Sequence, residues 1–313
     1  MIRIRTGSAR RMRPGAVFLA VGTGLFLKAR RTLLRELRQA RAAAGAAQSV
    51  LLRPLPPSVA GLGLAAAQLS ADPGAAVGGD LYEVMATEHG VRVVMGDVRG
   101  HGLAALGTVA AVLGSFREAA HDEAELAGVL RRLDRALARH LRAGDPDHPA
   151  AEDFVTVLLL EITDDGALHA LNCGHPWPYM LNTRGAEHLL SADVLPPLGP
   201  FPLPEDLTAV PGGRLRPGET LVLYTDGVAD ARDAAGRFFP LPAVLTESTR
   251  DGPASPQTIL RTVFTRLLHH TRTRPRDDAA ILVLTNPGHC SARPGPRRNA
   301  GSRATSPHPP ADG

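Results

Sequence analysis

Four acidic positions stand beside glycine or a second acid where apolar runs begin or stop: Gly78-Gly79-Asp80, Gly96-Asp97-Val98, Thr225-Asp226-Gly227 and Asp277-Asp278. An aspartate at a strand end offers a short carboxylate of restricted reach, and a neighbouring glycine lets backbone or water come close. Hard divalent cations take oxygen ligands of this kind, so several such carboxylates together suit Mg2+ or Mn2+. A single Asp-Gly pair is an ordinary turn. Four acidic sites of one pattern, each abutting an apolar run, call for a common explanation.

Other chemistry is excluded by residue type. Lys28 is the only lysine, which removes Walker-type phosphate binding, Schiff bases and lysine general bases from everything downstream. The two cysteines, Cys173 and Cys290, form no disulfide framework and have no metal-ligand spacing, so a reducing, cytoplasmic setting is expected for the catalytic region. Neither cysteine fits the Cys-x5-Arg pattern of thiol phosphatases, because Tyr179 and Pro296 occupy the arginine positions. Aromatic residues make up only 4% of the chain, so platforms for stacking nucleic-acid bases are scarce.

The elements that must position the acids are read from periodicity. Val91, Val93 and Met95 alternate as a strand, and helical patterns follow over 103–120 and 123–142. Strand-like runs come next at 154–162, 167–173, 179–181 and 220–225, then a helix near 256–271 and a closing strand at 279–285. Short strands in succession with helices inserted in blocks predict an α+β layered sandwich rather than a doubly wound parallel sheet.

The ends have a different character. Residues 1–50 hold 11 basic side chains and one acidic, whereas the centre of the chain is net acidic, so a nucleic-acid surface is disfavoured there and no nucleic-acid partner is expected. Residues 1–30 read as a basic and apolar arm, in which 14–27 is an uncharged run flanked by arginines; membrane attachment there is one expectation, although the run is short for a span. Residues 31–57 read as a linker helix stopped by Pro54, Pro56 and Pro57, and Leu33, Leu37, Ala40, Ala44, Ala47 and Leu51 form a heptad seam suited to a homodimer through 31–52. A single domain is expected over 58–286, and a Pro-, Gly- and Ser-rich disordered tail over 287–313.

Six ordered motifs carry a family resemblance. Gly78-Gly79-Asp80-Leu81-Tyr82-Glu83, Gly96-Asp97-Val98-Arg99-Gly100-His101-Gly102, Asn172-Cys173-Gly174-His175-Pro176, Pro197-Leu198-Gly199, Tyr224-Thr225-Asp226-Gly227 and Asp277-Asp278 occur in sequence. In that order the chain resembles a PPM-type (PP2C-like) serine/threonine phosphatase of the bacterial SpoIIE/RsbU branch, over roughly residues 48–285. The resemblance implies a PP2C-like β-sandwich flanked by helices in α-β-β-α layers. It also implies hydrolysis of phosphoserine or phosphothreonine with two Mn2+ or Mg2+ ions, and a phosphorylated protein as substrate, an anti-sigma-factor antagonist being the one it suggests.

By the same resemblance Asp80, Asp97, Asp226 and Asp277 are metal-coordinating carboxylates, the carbonyl of Val98 is a further ligand, and Asp278 is a weaker candidate. Two such cations about 4 Å apart activate a shared water, so that no protein nucleophile is needed. His101 is placed either to protonate the leaving oxygen or to orient water, with holding its own turn as the competing role. A structural role is expected for His175, and none in the chemistry for His269 and His270. Departures from the family pattern are Glu83 where aspartate is usual, which is not counted as a ligand, Trp177 in place of proline, and Asp230 in place of glutamate. The alternative function is a phosphatase-fold scaffold that binds a phosphoprotein with little turnover.

Overall fold

The computed structural model describes residues 23–36, 39, 45, 50–70, 78–100, 103–143, 154–190, 192–250, 252–272 and 275–288. His101, most of the apolar run 14–27, four of the six seam positions (Leu37, Ala40, Ala44 and Ala47) and the tail from residue 289 lie outside them. Residues 23–36 are helical and exposed, with Leu25, Phe26 and Leu33 each more than half accessible. Among the described residues, no helix is long and apolar enough to cross a membrane.

Two antiparallel sheets form the centre. The strands are β1 (Ser58–Val59), β2 (Leu62–Leu69), β3 (Asp80–Thr87), β4 (Gly90–Val98), β5 (Val155–Ile162), β6 (Ala167–Cys173), β7 (Tyr179–Asn182), β8 (Gly185–His188), β9 (Val210–Arg214), β10 (Thr220–Tyr224) and β11 (Ala279–Thr285). The first sheet runs β1-β2-β11-β10-β7-β8 and the second β3-β4-β5-β6-β9. Helices α1 (Leu103–Asp122) and α2 (Leu126–Ala143) cover the second sheet. Helices α3 (Asp226–Ala229), α4 (Leu241–Ser248) and α5 (Pro256–Thr271) cover the first.

Period-two alternation decides which layer each side chain joins. Along β4, Val91, Val93 and Met95 enter the space between the sheets, where they meet Leu158, Leu160, Leu223 and Leu282, while Val94 and Val98 turn to Leu113, Phe116 and Leu133 of α1 and α2. Along β11, Ala280, Leu282 and Leu284 face inward, and Ile281 and Val283 pack on Ile259, Val263 and Leu267 of α5. Strands covered on both faces are largely apolar, which is why β4, β5 and β11 stand out in the sequence. The α+β sandwich with α-β-β-α layering matches the expected fold.

Some elements differ from expectation. Strands β2, β3, β8 and β9 and helix α4 carry little sequence signal: β2 is rich in alanine, β3 interleaves Tyr82 and Glu83 among its apolar residues, and β9 is Val-Pro-Gly-Gly-Arg. Asp226 is not at a strand end but opens the one-turn helix α3, after Thr225 as N-cap. The start of α5 follows local rules: the Ser255 side chain accepts from the Thr258 N–H at 3.2 Å, and Pro256 fills a first-turn position that needs no donor.

One buried charge ties the second sheet to its helices. Arg92 of β4 is fully inaccessible; its Nε and Nη2 donate to Glu161 Oε2 at 2.9 and 2.7 Å. Nη1 donates to the carbonyls of Ala120 and Glu123, and Nη2 to that of Ala124. The guanidinium thereby satisfies backbone acceptors that the end of α1 leaves without partners.

Candidate metal centre

The register of the β3–β4 pair sets Asp80 directly opposite Asp97. Directly paired residues of an antiparallel ladder project to the same face about 5 Å apart, so these carboxylates are neighbours by construction. Asp226 follows β10 and Asp277-Asp278 precede β11, and those two strands pair with Tyr224 opposite Ile281. The two pairs of elements belong to different sheets, and one hydrogen bond joins them: Thr225 Oγ1 donates to Asp80 Oδ2 at 3.2 Å. The same hydroxyl accepts from Ala280 N–H at 2.8 Å, so Thr225 makes no side-chain cap to α3.

Glycines allow this crowding. A Cβ on Gly79 would lie 2.2 Å from the Val98 carbonyl oxygen and 2.8 Å from Asp97 Oδ1; one on Gly78 would meet Asp278 Oδ2, and one on Gly227 would overlap the Asp278 carbonyl. Gly79 thus lies against the Val98 carbonyl and Asp97, and Gly78 and Gly227 against Asp278, so ends of both sheets meet here.

Burial and mutual repulsion act on the acids in one direction. Asp80 is completely buried and its carboxyl is held well above the ordinary range, first by burial, then by the charges of Asp97, Asp278 and Asp226. Its Oδ1 has no hydrogen-bond partner. Asp97 is pushed up to about 7 by burial and by Asp226, Asp277 and Asp278. Asp226 is raised by burial and by Asp277. Among the described residues, no three His, Cys, Asp or Glu side chains are already drawn together into a set that could grip one ion. The acids feel one another's charge without converging on a single point. An orphaned buried carboxylate oxygen beside a glycine-lined gap fits a cation that supplies the missing positive charge.

Other expected residues fall elsewhere. Glu83 pairs with Arg117 Nε at 2.8 Å, and Arg117 Nη2 also donates to the Leu51 carbonyl, so Glu83 is engaged away from the acid cluster. Asp230 ends α3, where its N–H donates to the Asp226 carbonyl. His269 and His270 sit near the end of α5, where His270 Nε2 lies 3.0 Å from the Arg237 carbonyl oxygen. Cys173 is buried, and burial pushes its thiol up to about 12, which leaves it protonated and inert as a nucleophile. His175 is buried with its pKa lowered to about 3 by that burial, so the ring is neutral.

Sequence reasoning missed Thr156. This residue sits opposite Asp97 in the β4–β5 register, and its Oγ1 accepts from the Asp97 N–H at 3.2 Å. The available signal was a lone hydroxyl inside the apolar run Val155–Leu160.

A family model for stage II sporulation protein E (SpoIIE) matches residues 87–287, a stretch that holds Asp97, Asp226 and Asp277 and begins after Asp80. The phosphoserine phosphatase RsbP of Bacillus subtilis is 27% identical over 215 residues, covering 66% of this chain and 49% of RsbP. The chain thus spans about half the length of that relative. Among solved structures, the SiaA-PP2C domain of Pseudomonas aeruginosa superposes with a TM-score of 0.62 at 18% identity, covering 82% of this chain and 98% of that one. The RsbU and RsbW domains of Rv1364c from Mycobacterium tuberculosis give 0.56 at 21% identity, covering 72% and 61%. These likenesses establish a PP2C fold. With almost two thirds of its length matched by the family model, and with that fold beneath it, the chain belongs to the SpoIIE family.

Proposed function

We propose that this protein is a metal-dependent serine/threonine phosphatase acting on a phosphorylated bacterial signalling protein. The observation that carries the reading is Asp80: a fully buried carboxylate with one oxygen unpartnered, facing the charges of Asp97, Asp226 and Asp278. RsbP, named a phosphoserine phosphatase, supports the reaction class. Asp80, Asp97, Asp226 and Asp277, with the Val98 carbonyl, are the residues that would hold two Mn2+ or Mg2+ ions. Such ions, when bound, acidify a water and neutralise phosphate oxygens.

The chain's own contribution is positional. Asp80 and Asp97 are fixed by strand register, Asp226 by the start of α3, and Gly79 and Gly227 keep side chains out of the gap. The inert Cys173 is consistent with a reaction that uses no thiol nucleophile. His101, four residues beyond Asp97, is assigned the proton for the leaving serine oxygen. The substrate is taken to be an anti-sigma-factor antagonist, and residues 31–52 to pair two copies of the chain; the exposed Leu33 supports such a seam. Sedimentation of a monomer at high concentration would remove the dimer.

Release of phosphate from a phosphoserine peptide or p-nitrophenyl phosphate tests the activity. Turnover is expected with Mn2+ and absent in EDTA. Full activity in both Asp97→Ala and Asp226→Ala would defeat the metal assignment, and phosphopeptide binding without hydrolysis would favour the scaffold reading.

A further inference from the structure

A buried imidazole lies between the two sheets that bear the acids. His175 follows Gly174, whose φ of +71° and tight fit against Pro197 leave no room for a side chain. The His175 backbone is clamped at both ends by Asn172: its N–H donates to Asn172 Oδ1 and its carbonyl accepts from Asn172 Nδ2, both at 2.8 Å. With the backbone held, the ring has a set direction. Nδ1 lies 3.0 Å from Thr156 Oγ1, the hydroxyl that accepts from the Asp97 N–H. Nε2 is buried and has no hydrogen-bond partner among the described residues, and the backbone of Tyr224 is near enough to bear on the ring. Tyr224 ends β10, two residues before Asp226.

One tautomer serves all these groups. With the proton on Nε2, Nδ1 accepts from the Thr156 hydroxyl, whose lone pair then faces the Asp97 amide. The donors run in one direction from Asp97 to Thr156 to His175, an arrangement in which one bond polarises the next. Because the ring is neutral, the link stays the same over the working pH range.

We propose that His175 is a positioning residue for the metal centre: through Thr156 it fixes the backbone at Asp97. The inference rests on the metal reading above and assigns no contact with substrate. A residue that merely filled space would alter the stability of the fold and leave the metal affinity of the folded protein unchanged. A positioning residue moves the affinity itself, by about 10- to 100-fold for partners of this kind.

The test uses the full chain, with Mn2+ as probe, and measures the Mn2+ dissociation constant by calorimetric titration alongside melting in EDTA. His175→Leu and Thr156→Val are each expected to weaken Mn2+ binding by about 10- to 100-fold. The double variant should be no weaker than the poorer single, because the two groups act in series. Thr156→Ser, which keeps the hydroxyl, and His175→Asn, whose Oδ1 can stand in for Nδ1, should recover affinity. At saturating Mn2+ the KM for a phosphoserine peptide should stay at its wild-type value. Wild-type affinity in folded Thr156→Val, or in folded His175→Leu, overturns the inference, as does an additive double variant. If His175→Leu does not fold, Thr156→Val decides alone. Wild-type protein that fails to bind Mn2+ overturns the metal reading together with this inference. Wild-type protein that binds Mn2+ but hydrolyses nothing overturns only the activity, and weakened binding in the variants then still supports the positioning role.

Discussion

Asp80 and Asp97 share a strained electrostatic position: each is a carboxylate that burial and neighbouring acids push toward its protonated form. An amide of the same shape in place of Asp97 removes one charge from the cluster and one oxygen ligand from a cation. Asp97→Asn is therefore expected to melt at a higher temperature than wild type in EDTA at pH 8, because repulsion is relieved. In excess Mn2+ the order should reverse, with hydrolysis reduced by more than about 100-fold, the upper range for losing a mere supporting partner. Differential scanning calorimetry with and without EDTA, and phosphate release, read both effects. A variant that loses stability in both conditions would show that Asp97 is held by bonds other than those to a metal.

At the scale of elements, two close fits hold the site to its scaffold. The β3–β4 hairpin brings Gly79 against the Val98 carbonyl, and a methyl group there requires the strand ends to part. Gly79→Ala should cost about 1–3 kcal/mol in urea unfolding and abolish the Mn2+-induced rise in melting temperature. Gly114, exposed on α1 with open space around it, provides the contrast: Gly114→Ala should stabilise the protein by about 0.5–1 kcal/mol and leave Mn2+ binding intact. The second fit is the Arg92 clamp between β4, Glu161 and the end of α1. Arg92→Met strands Glu161 and three carbonyls, and should destabilise by about 3–5 kcal/mol in the same assay.

For the whole molecule, the acid cluster shapes stability against pH. Asp97 titrates near 7 in the folded chain and near 3.8 when unfolded, and Asp80 and Asp226 shift in the same direction. Between those limits the folded state binds more protons, so stability is present at low pH and is lost as pH rises through about 7. His175 runs the other way: its pKa falls from 6.5 to about 3 on folding, so its contribution is present above 6.5 and is lost in acid. In EDTA the melting temperature should therefore rise by several degrees from pH 8 to pH 6.5, where His175 still counts little. Excess Mn2+ should flatten that slope by supplying the charge that protons otherwise provide, which calorimetry across the pH series will register.

Composition, periodicity and local motifs by themselves determined the layered α+β architecture and the span of α5 and β11, and they singled out the acids Asp80, Asp97, Asp226 and Asp277 as candidates. These are local matters: a strand that is apolar on successive residues reports that both its faces are covered, and a glycine beside an acid reports close approach, wherever the partner lies. Only the tertiary structure decided which groups meet. Thr225 and Asp80 are 145 positions apart in the chain, and Thr156 and His175 come from β5 and from the segment after β6. Strand register and the packing of one sheet on the other place them within hydrogen-bonding reach, and no short-range pattern encodes either. The buried imidazole shows the division plainly. Its Gly-His-Pro turn was legible as structure, while its direction depends on a clamp from Asn172 and a hydroxyl on β5 that only the folded chain brings to it.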